Sequence, residues 1–301
     1  MRGPKKGHLD GVIVVDKPEG WTSHDVVGKL RRIVKTKRVG HLGTLDPIAT
    51  GVLPVVIGKA TRLAQFYTRS DKIYEGIVRF GWSTTTYDRA GEPTSDKIEA
   101  HPAAQEIEAQ LEQFRGEILQ TPPPVSAKKV AGRRAYELAR KSAPVELEPV
   151  HVHIYEIELL DVNGADAHLR VHCSGGTYVR SLAHDLGKLL GCGAHLHELR
   201  RTASGEFDLA QARTIAQLEA LAASERLVDA IVPAAMMLPA MPNVFVDDIA
   251  VTHIRNGRNF PASAFRPQPG ARHVKAVTRT GELVAIGEAV LPNLYHPIVV
   301  L

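Results

Sequence analysis

The pattern of apolar and polar residues near the start of the chain predicts a strand followed by a helix. Residues 12–15, VIVV, form an apolar run that is typical of a buried strand and ends at a Lys17-Pro18 turn. In the following TSHD, Thr22 and Asp25 have the spacing of a capping box that begins a helix. Apolar residues then recur at helical spacing and should form the buried face: Val26, Val27, Leu30, Ile33 and Val34.

Further along, the pattern predicts more strands and a second helix. GVLPVVIG is a short apolar strand, and DKIYEGIVRFG alternates around Tyr74. AAQEIEAQLEQFRG predicts an amphipathic helix with Gly116 at its C-terminal end. Alternation returns in VHIYEIELLDV and AHLRVHC, where Leu169, Val171 and Cys173 should face the same way. The mixture of strands and helices predicts an α+β protein.

The segment GGTYVRSLAHDLGKLLGCG predicts a helix that ends at Gly191. Arg180 lies in its first turn, directly after Gly175 and Gly176, which allow close approach of another backbone or a ligand. The helix dipole disfavours a cation in a first turn. We therefore expect a specific anionic partner for Arg180, although a surface arginine at a helix start is the alternative.

Composition changes after about Pro233. PAAMMLPAMPNVFVDD is interpreted as a linker, and the residues after it resemble short strands joined by glycine turns. We predict one domain over residues 1–235, with an excursion at about 122–149 that is bounded by prolines. A small β-rich domain should follow over residues 242–301, within the usual size range of domains.

Bulk composition indicates an ordinary globular protein. The chain has 301 residues, of which 44% are hydrophobic and 23% charged. It contains neither a secretory signal nor an apolar stretch of about 20 residues that would span a membrane. Cys173 and Cys192 form neither a CxxC motif nor a disulfide framework, so free thiols in a reducing compartment are expected. The predicted location is the cytoplasm.

Positive charge is concentrated in two runs, GKLRRIVKTKR and SAKKVAGRRAYELARK. Each carries six cations and at most one acid, and the sequence pI is about 9.0. Either run alone is compatible with a solvated helix face. Two such runs together favour a polyanionic partner such as a nucleic acid.

Histidines do not indicate a metal site. The chain has 14, including the HxH pairs His151/His153 and His195/His197. Neither pair has cysteines or acids at supporting spacing, and strand alternation produces such pairs without a metal. No metal is expected.

The segment GHLGTLDPIATG, residues 40–51, contains a single carboxylate, Asp46, among glycines, threonines and apolar residues. No second acid is near it along the chain, which is unlike the paired carboxylates of many hydrolytic sites. This segment resembles the catalytic signature of the TruB family of tRNA pseudouridine synthases. DKPEGWTSHDVV, DKIYEG, VSAKKVAGRRAYELAR and CSGGTYVRSLAHDLGKLLGCGAHLHELRRT follow that family in order, so the resemblance covers essentially the whole chain.

The resemblance implies a fold and a reaction. The fold would be a pseudouridine synthase catalytic domain, with a central mixed or antiparallel sheet flanked by helices, followed by a small β-rich domain of the PUA type. The reaction would be isomerisation of uridine 55 in the T-loop of tRNA, without cofactor or metal. Because uracil is detached from ribose and rejoined through carbon, no water is added and one carboxylate suffices.

The resemblance also assigns residues. Asp46, Tyr74 and Arg180 match the catalytic set, with Arg180 as the partner of Asp46. His41 matches the residue that occupies the space of the flipped base. The remaining residues concern substrate binding: Leu199 at the uracil pocket, Tyr178 as a further substrate-binding residue, Lys17 at a turn that supports the active-site loop, and Lys128, Lys129, Arg133 and Arg134 in the insertion that grips the T-stem loop.

Two departures from the family pattern are expected to affect tRNA affinity without touching the catalytic set. Thr85 stands where the family commonly has an aspartate, and Val125 where it often has an aromatic residue. Three functions remain open: a stand-alone tRNA synthase, an RNA-guided synthase of the dyskerin type, and a non-catalytic RNA-folding protein. The LDPIATG motif and the long basic insertion favour the stand-alone tRNA synthase. We expect such an enzyme to act as a monomer without guide RNA.

Overall fold

The computed structural model describes residues 10–125, 148–262 and 271–301, and the backbone of two short strands within residues 129–134. No helix in these described parts is long and apolar enough to cross a membrane. The α-helices are α1 (Ser23–Ile33), α2 (Ala104–Leu111), α3 (Val179–Leu189), α4 (Ile215–Ala223) and α5 (Asp248–Arg255). Short 3-10 helices span Gly58–Tyr67, Glu112–Phe114, Leu227–Ala230 and Ala234–Met236.

The strands form one large sheet, a smaller C-terminal sheet and a short hairpin. Those of the large sheet are β1 (Gly11–Lys17), β2 (Val39–His41), β3 (Ala49–Ile57), β4 (Lys72–Phe80), β5 (Gly116–Gln120), β8 (Val150–Asn163), β9 (Asp166–Cys173), β10 (Ala194–Ser204), β11 (Phe207–Asp208) and β12 (Ile231–Pro233). The hairpin pairs β6 (Lys129–Val130) with β7 (Arg133–Arg134). The C-terminal sheet contains β13 (Asn243–Val246), β14 (Phe260–Pro261), β15 (His273–Thr278), β16 (Leu283–Leu291) and β17 (Leu294–Val300).

The large sheet is mixed, as the resemblance implied. Its order is β12-β1-β3-β10-β4-β9-β8-β5, with β2 beside β3 and β11 beside β10. Its strands pair antiparallel except β3 and β10, which run parallel. Helices α1 to α4 contribute to the core on one face, and the 3-10 helix Gly58–Tyr67 packs on the other. The predicted α+β class is confirmed.

Burial on both faces explains the continuous apolar runs of β1 and β3. In β1, Ile13 and Val15 enter the core under the helices, whereas Val12 and Val14 enter the core on the opposite face. A strand that is covered on both sides cannot alternate between apolar and polar residues. The apolar runs in the sequence therefore indicated that β1 and β3 are buried, but not which elements cover them.

Helix α1 begins as the sequence predicts. The Thr22 hydroxyl accepts from the Asp25 N–H at 3.1 Å, and the Asp25 carboxylate accepts from the Thr22 N–H at 2.8 Å. The predicted apolar face is buried or half-buried, and Arg31, Arg32 and Lys35 are exposed. The capping box thus fixes where the helix starts, which matters because the active-site loop is bonded to this end.

Helix α2 ends before the predicted position. It stops at Leu111, a 3-10 turn follows to Phe114, and Gly116 is the first residue of β5. Gly116 has φ +82°, a conformation that glycine adopts without strain, so it turns the chain directly into the strand. The prediction that Gly116 caps the helix was wrong for this reason.

The segment interpreted as a linker is packed instead. Met237 is fully buried, and Ala234 and Met237 share a core with Val12 on the large sheet and Val299 on β17. The buried Lys275 of β15 donates to the carbonyls of Ala235 and Met237 at 3.1 and 2.9 Å. The C-terminal β domain is present, but it is joined to the large sheet by a common core.

Candidate active site

A row of cross-strand partners crosses the large sheet at the candidate site. Lys17 of β1 lies opposite Gly51 of β3, Gly51 opposite Arg201 of β10, and Arg201 opposite Tyr74 of β4. Side chains of directly opposed residues lie on the same face of a sheet. Residues far apart in the sequence therefore meet on the face that carries the helices.

Asp46, Tyr74 and Arg180 line one cleft of about 230 Å³. Asp46 comes from the loop before β3, Tyr74 from β4 and Arg180 from the first turn of α3. Tyr178 and Leu199 also line this cleft, as the resemblance implied. The other lining residues are Gly43, Thr44, Leu45, Thr68, Lys72, Gly176, Thr177, Val179 and Arg201.

Arg180 holds the Asp46 carboxylate through two hydrogen bonds. Its Nε lies 2.9 Å from Asp46 Oδ2, and its Nη2 donates to Oδ1 at 3.0 Å. The arginine side chain is only 6% exposed, whereas that of Asp46 is 36% exposed. A bidentate pair of this kind fixes the orientation of the carboxylate as well as its charge. The expectation of an anionic partner for Arg180 is confirmed.

A second carboxylate is present after all. Arg180 Nη1 lies 3.4 Å from Asp88 Oδ2, and Asp88 is buried. The interpretation of Asp46 as an acid without a second acid nearby was therefore wrong. Asp88 is 42 positions away in the chain, and only the fold brings it to the same guanidinium.

Two backbone carbonyls complete the surroundings of Arg180. Thr86 accepts from Nη1 at 3.1 Å and Val125 accepts from Nη2 at 2.9 Å. The expectation that position 125 does not touch the catalytic set was wrong, because the contact runs through the main chain. Thr85 is exposed, and its hydroxyl accepts from the Glu92 N–H at 3.1 Å, away from the cleft lining.

Burial and neighbouring charges shift the ionisation of the cleft residues. Burial raises the pKa of the Asp46 carboxyl, the Arg180 guanidinium opposes that rise, and the Asp88 carboxylate adds to it. Burial also raises the pKa of the Tyr74 phenol, and the positive charge of Arg201 opposes this effect. Arg180 thus stabilises the ionised form of the Asp46 carboxylate, and the Tyr74 phenol lies beside Arg201.

The buried side chain of Lys17 fixes the loop that carries Asp46. Lys17 Nζ donates to the carbonyls of Pro18, Trp21 and Pro47 at 2.9, 2.6 and 3.4 Å. Burial lowers the pKa of this ammonium to about 8, against the opposing effect of the Asp46 charge. Lys17 is fully buried, so it supports the loop, as expected, but offers no surface to RNA. Its place among the substrate-binding residues is corrected accordingly.

Helix α1 contributes a second support. The Ser23 hydroxyl donates to the Leu45 carbonyl at 3.1 Å and accepts from the Leu45 N–H at 2.8 Å. Leu45 directly precedes Asp46. The position of the carboxylate therefore depends on the capped end of α1.

The glycines of this region make room for protein backbone. A Cβ at Gly51 would lie 2.2 Å from the Arg201 carbonyl oxygen, and a Cβ at Gly175 would lie 2.8 Å from that of Thr68. The prediction for Gly175 is confirmed. The close approach at Gly51 allows β3 to pair with β10.

His41 lies at the end of β2 and is not among the residues that line the cleft. Its ring packs edge-on against that of His24 on α1, with 5.6 Å between ring centroids. The structure therefore leaves the role of His41 in base flipping a prediction.

The predicted RNA-gripping residues are only partly visible. Lys128 lies outside the described residues, and for Lys129, Arg133 and Arg134 only the backbone of the β6–β7 hairpin is described. In the described parts of the chain, no cluster of three histidine, cysteine or acidic side chains is placed to hold a metal ion. Cys173 and Cys192 are free thiols, as expected.

Sequence reasoning missed three residues: Lys72 and Arg201, which line the cleft, and Asp88, which contacts Arg180. Lys72 is the second residue of the DKIYEG segment, is mostly buried, and has a pKa lowered to about 8 by burial and by the charge of Arg201. Arg201 is one of two adjacent arginines in HELRRT. Strand alternation alone would have shown that only one of the two could face the cleft.

Comparisons with known proteins agree with this site. Residues 31–179 match the model of the TruB family pseudouridylate synthase (N terminal domain), and residues 180–239 match that of the tRNA pseudouridylate synthase B C-terminal domain. The tRNA pseudouridine synthase B of Solibacter usitatus is 73% identical over 97% of this chain and 100% of its own. That of Aquifex aeolicus is 42% identical over 83% of this chain and 86% of its own.

A solved structure shows the same fold. A chain in the crystal structure of the archaeal box H/ACA sRNP Nop10-Cbf5 complex is 28% identical, with a TM-score of 0.73. The match covers 99% of this chain and 88% of that one.

Proposed function

The chain belongs to the TruB family of pseudouridine synthases, and from that premise we propose that it isomerises uridine 55 in the T-loop of tRNA to pseudouridine. The observation that carries this proposal is the Asp46 carboxylate, held at 2.9 and 3.0 Å by Arg180 in a cleft that also contains Tyr74. Relatives named tRNA pseudouridine synthase B support tRNA as the substrate.

The reaction breaks the bond between N1 of uracil and C1′ of ribose and forms a bond between C5 and C1′. The C5 proton is lost and N1 gains one, so the product is an isomer of the substrate. The ionised Asp46 acts as the nucleophile or assists departure of the base. Arg180 maintains the charge and orientation of this carboxylate, and the Tyr74 phenol stacks on uracil and handles the C5 proton.

The target uridine must leave the base stack of the RNA to enter the cleft, at a cost of a few kcal/mol. His41 would occupy the place that the uridine leaves. The basic insertion would grip the T-stem loop through phosphates, and the C-terminal β domain, proposed as PUA-like, would reach towards the acceptor end. We further propose that the protein acts in the cytoplasm as a monomer, without guide RNA, cofactor or metal.

The test is to incubate the purified protein with unmodified tRNA, without guide RNA, and to map pseudouridine. We expect product at position 55. Asp46→Asn should abolish tritium release from C5-tritiated uridine and retain tRNA binding. Asp16→Asn is the matched control, because Asp16 pairs with Arg200 at 2.9 Å and does not line the cleft.

The alternatives give different results in the same assay. Product only after addition of a guide RNA would indicate a dyskerin-type enzyme, and tRNA binding without product would indicate a non-catalytic RNA-folding protein. A wild-type rate of turnover by Asp46→Asn would refute the proposed mechanism. Binding should also weaken as salt rises, because phosphate contacts release counterions.

A further inference from the structure

Arg201 lies in the middle of the residue row, next to Gly51 and opposite Tyr74. It is only 1% exposed, and it is among the largest fully buried side chains of the protein. We propose that Arg201 is a positioning residue that holds the loop of Asp46 against the phenol of Tyr74. This inference rests on the proposed function, because it concerns the same cleft.

The first observation is that one guanidinium bonds the chain on both sides of Asp46. Arg201 Nη2 donates to the Gly43 carbonyl at 3.1 Å and Nη1 to the Thr44 carbonyl at 3.5 Å, both before Asp46. Its Nε donates to the Val52 carbonyl at 2.7 Å, after Asp46. The planar fork of an arginine is suited to such a bridge, whereas the single ammonium of a lysine is not.

The second observation is the contact with Tyr74. The two residues are direct partners on neighbouring antiparallel strands and line the same cleft, and the positive charge of Arg201 lowers the pKa of the phenol against the effect of burial. The other titratable groups that act on this phenol are Cys173 of β9 and Asp46 itself. One side chain is therefore connected to the proposed nucleophile loop and to the proposed proton-handling group.

The third observation is that the buried charge of Arg201 is hydrogen-bonded to the segment that contains Asp46. A fully buried charge is costly unless it is hydrogen-bonded, and the strand could carry an apolar residue at this position instead. In the described parts of the chain, the three hydrogen bonds that the Arg201 side chain donates all go to residues of the segment 43–52. The contacts thus serve the geometry of the cleft.

A consequence follows for the reaction. Displacement of a reacting group by about 1 Å can cost on the order of 100-fold in rate. Loss of the bridge should therefore lower the rate of the chemical step, while the surfaces that bind RNA remain. Loss of the nearby positive charge should also raise the pKa of the Tyr74 phenol.

The experiment compares Arg201→Lys and Arg201→Met with Arg200→Lys. Arg200 is adjacent, pairs with the surface residue Asp16, and does not line the cleft. We expect Arg201→Lys to reduce the single-turnover rate on a T-stem-loop RNA by about 10- to 100-fold, with RNA affinity within about threefold of wild type. Arg200→Lys should retain the wild-type rate.

A second readout separates positioning from a purely structural role. The titration of the Tyr74 phenol is followed in protein labelled with 13C at the tyrosine Cζ. The phenol should titrate at higher pH in Arg201→Met than in the wild type, and at the wild-type pH in Arg200→Lys. Thermal unfolding shows whether each variant is folded. If Arg201→Lys does not fold, Arg201→Gln, which retains an amide donor for the same carbonyls, takes its place.

Three results would overturn the inference: a wild-type rate in folded Arg201→Lys, equal losses of rate and RNA affinity together with an unchanged Tyr74 titration, or failure of both Lys and Gln variants to fold. The last result would mean that Arg201 serves the fold rather than the cleft. Absence of activity in the wild-type protein would instead overturn the proposed function, and the tyrosine titration would still test the contact with Arg201.

Discussion

At the scale of single residues, the cleft is organised by arginines rather than by acids. Arg180 joins Asp46 to Asp88 and to two backbone carbonyls, so its position is determined by three different parts of the chain. The carboxylate of Asp46 experiences two positive neighbours, Arg180 and Lys17, and one negative neighbour, Asp88, in addition to burial. Its protonation is therefore adjustable by substitutions that do not touch it.

This balance predicts the pH dependence of the reaction. Activity requires ionised Asp46 and is lost as pH falls through its pKa, which burial raises above the ordinary value of about 3.9. Asp88→Asn removes a negative neighbour, so it should lower that pKa and move the acid limb of the rate profile to lower pH. Single-turnover rates measured from pH 4 to 8 on a T-stem-loop RNA would show the shift.

The matched comparison is Asp16→Asn, which removes a carboxylate outside the cleft and should leave the acid limb unmoved. An acid limb that moves upward in Asp88→Asn would contradict this account of the charges around Asp46.

At the scale of elements, the parallel pairing of β3 with β10 creates the cleft. It places Leu199 opposite Ala49 and Arg201 opposite Gly51, so residues separated by about 150 positions become neighbours. Gly51 has φ +96°, and its missing Cβ leaves space for the Arg201 backbone. The glycine is required twice, by its conformation and by the close approach.

Gly51→Ala and Gly116→Ala separate these two requirements. Both positions have positive φ, but a Cβ at Gly116 would meet nothing within 4 Å, whereas one at Gly51 would collide with Arg201. Gly116→Ala should cost about 1–3 kcal/mol of unfolding free energy through strain alone and retain activity. Gly51→Ala should cost more and lose activity, as measured by urea unfolding and tritium release. Equal stabilities for the two variants would refute the role of the close approach.

At the scale of the whole molecule, the large sheet and the C-terminal sheet should unfold together, because they share one buried core. Val12, Leu63 and Met237 belong to the same buried cluster as Leu283 and Val299. The buried Lys275 also bonds the connecting segment. A flexible linker would have left these apolar residues in water.

Both tryptophans, Trp21 and Trp82, belong to the part of the protein that contains the large sheet. Their fluorescence therefore reports the unfolding of that part. Val299→Ala in β17 should lower the unfolding free energy reported by tryptophan by about 2 kcal/mol, because it removes methyl groups from the shared core. The adjacent Ile298 is exposed, so Ile298→Ala should change it little. A tryptophan transition that Val299→Ala leaves unmoved would mean that the two parts unfold independently.

The sequence by itself determined most of the local structure and pointed to Asp46 as the proposed catalytic carboxylate. Capping residues, apolar periodicity and glycines placed α1, α3 and the strands around Tyr74, because these signals act within a few residues of one another. The motif around Asp46 and the first-turn position of Arg180 indicated the ion pair, since a cation is unfavourable there without a partner.

Only the tertiary structure decided which distant residues complete the cleft and how the C-terminal part is attached. Asp88 reaches Arg180, and Arg201 reaches both Tyr74 and the Asp46 loop, through strand pairing between remote segments. The packed position of Met237 likewise depends on two sheets meeting. The physical reason is that such contacts arise from sheet register and shared burial, which the spacing of residues along a chain does not encode.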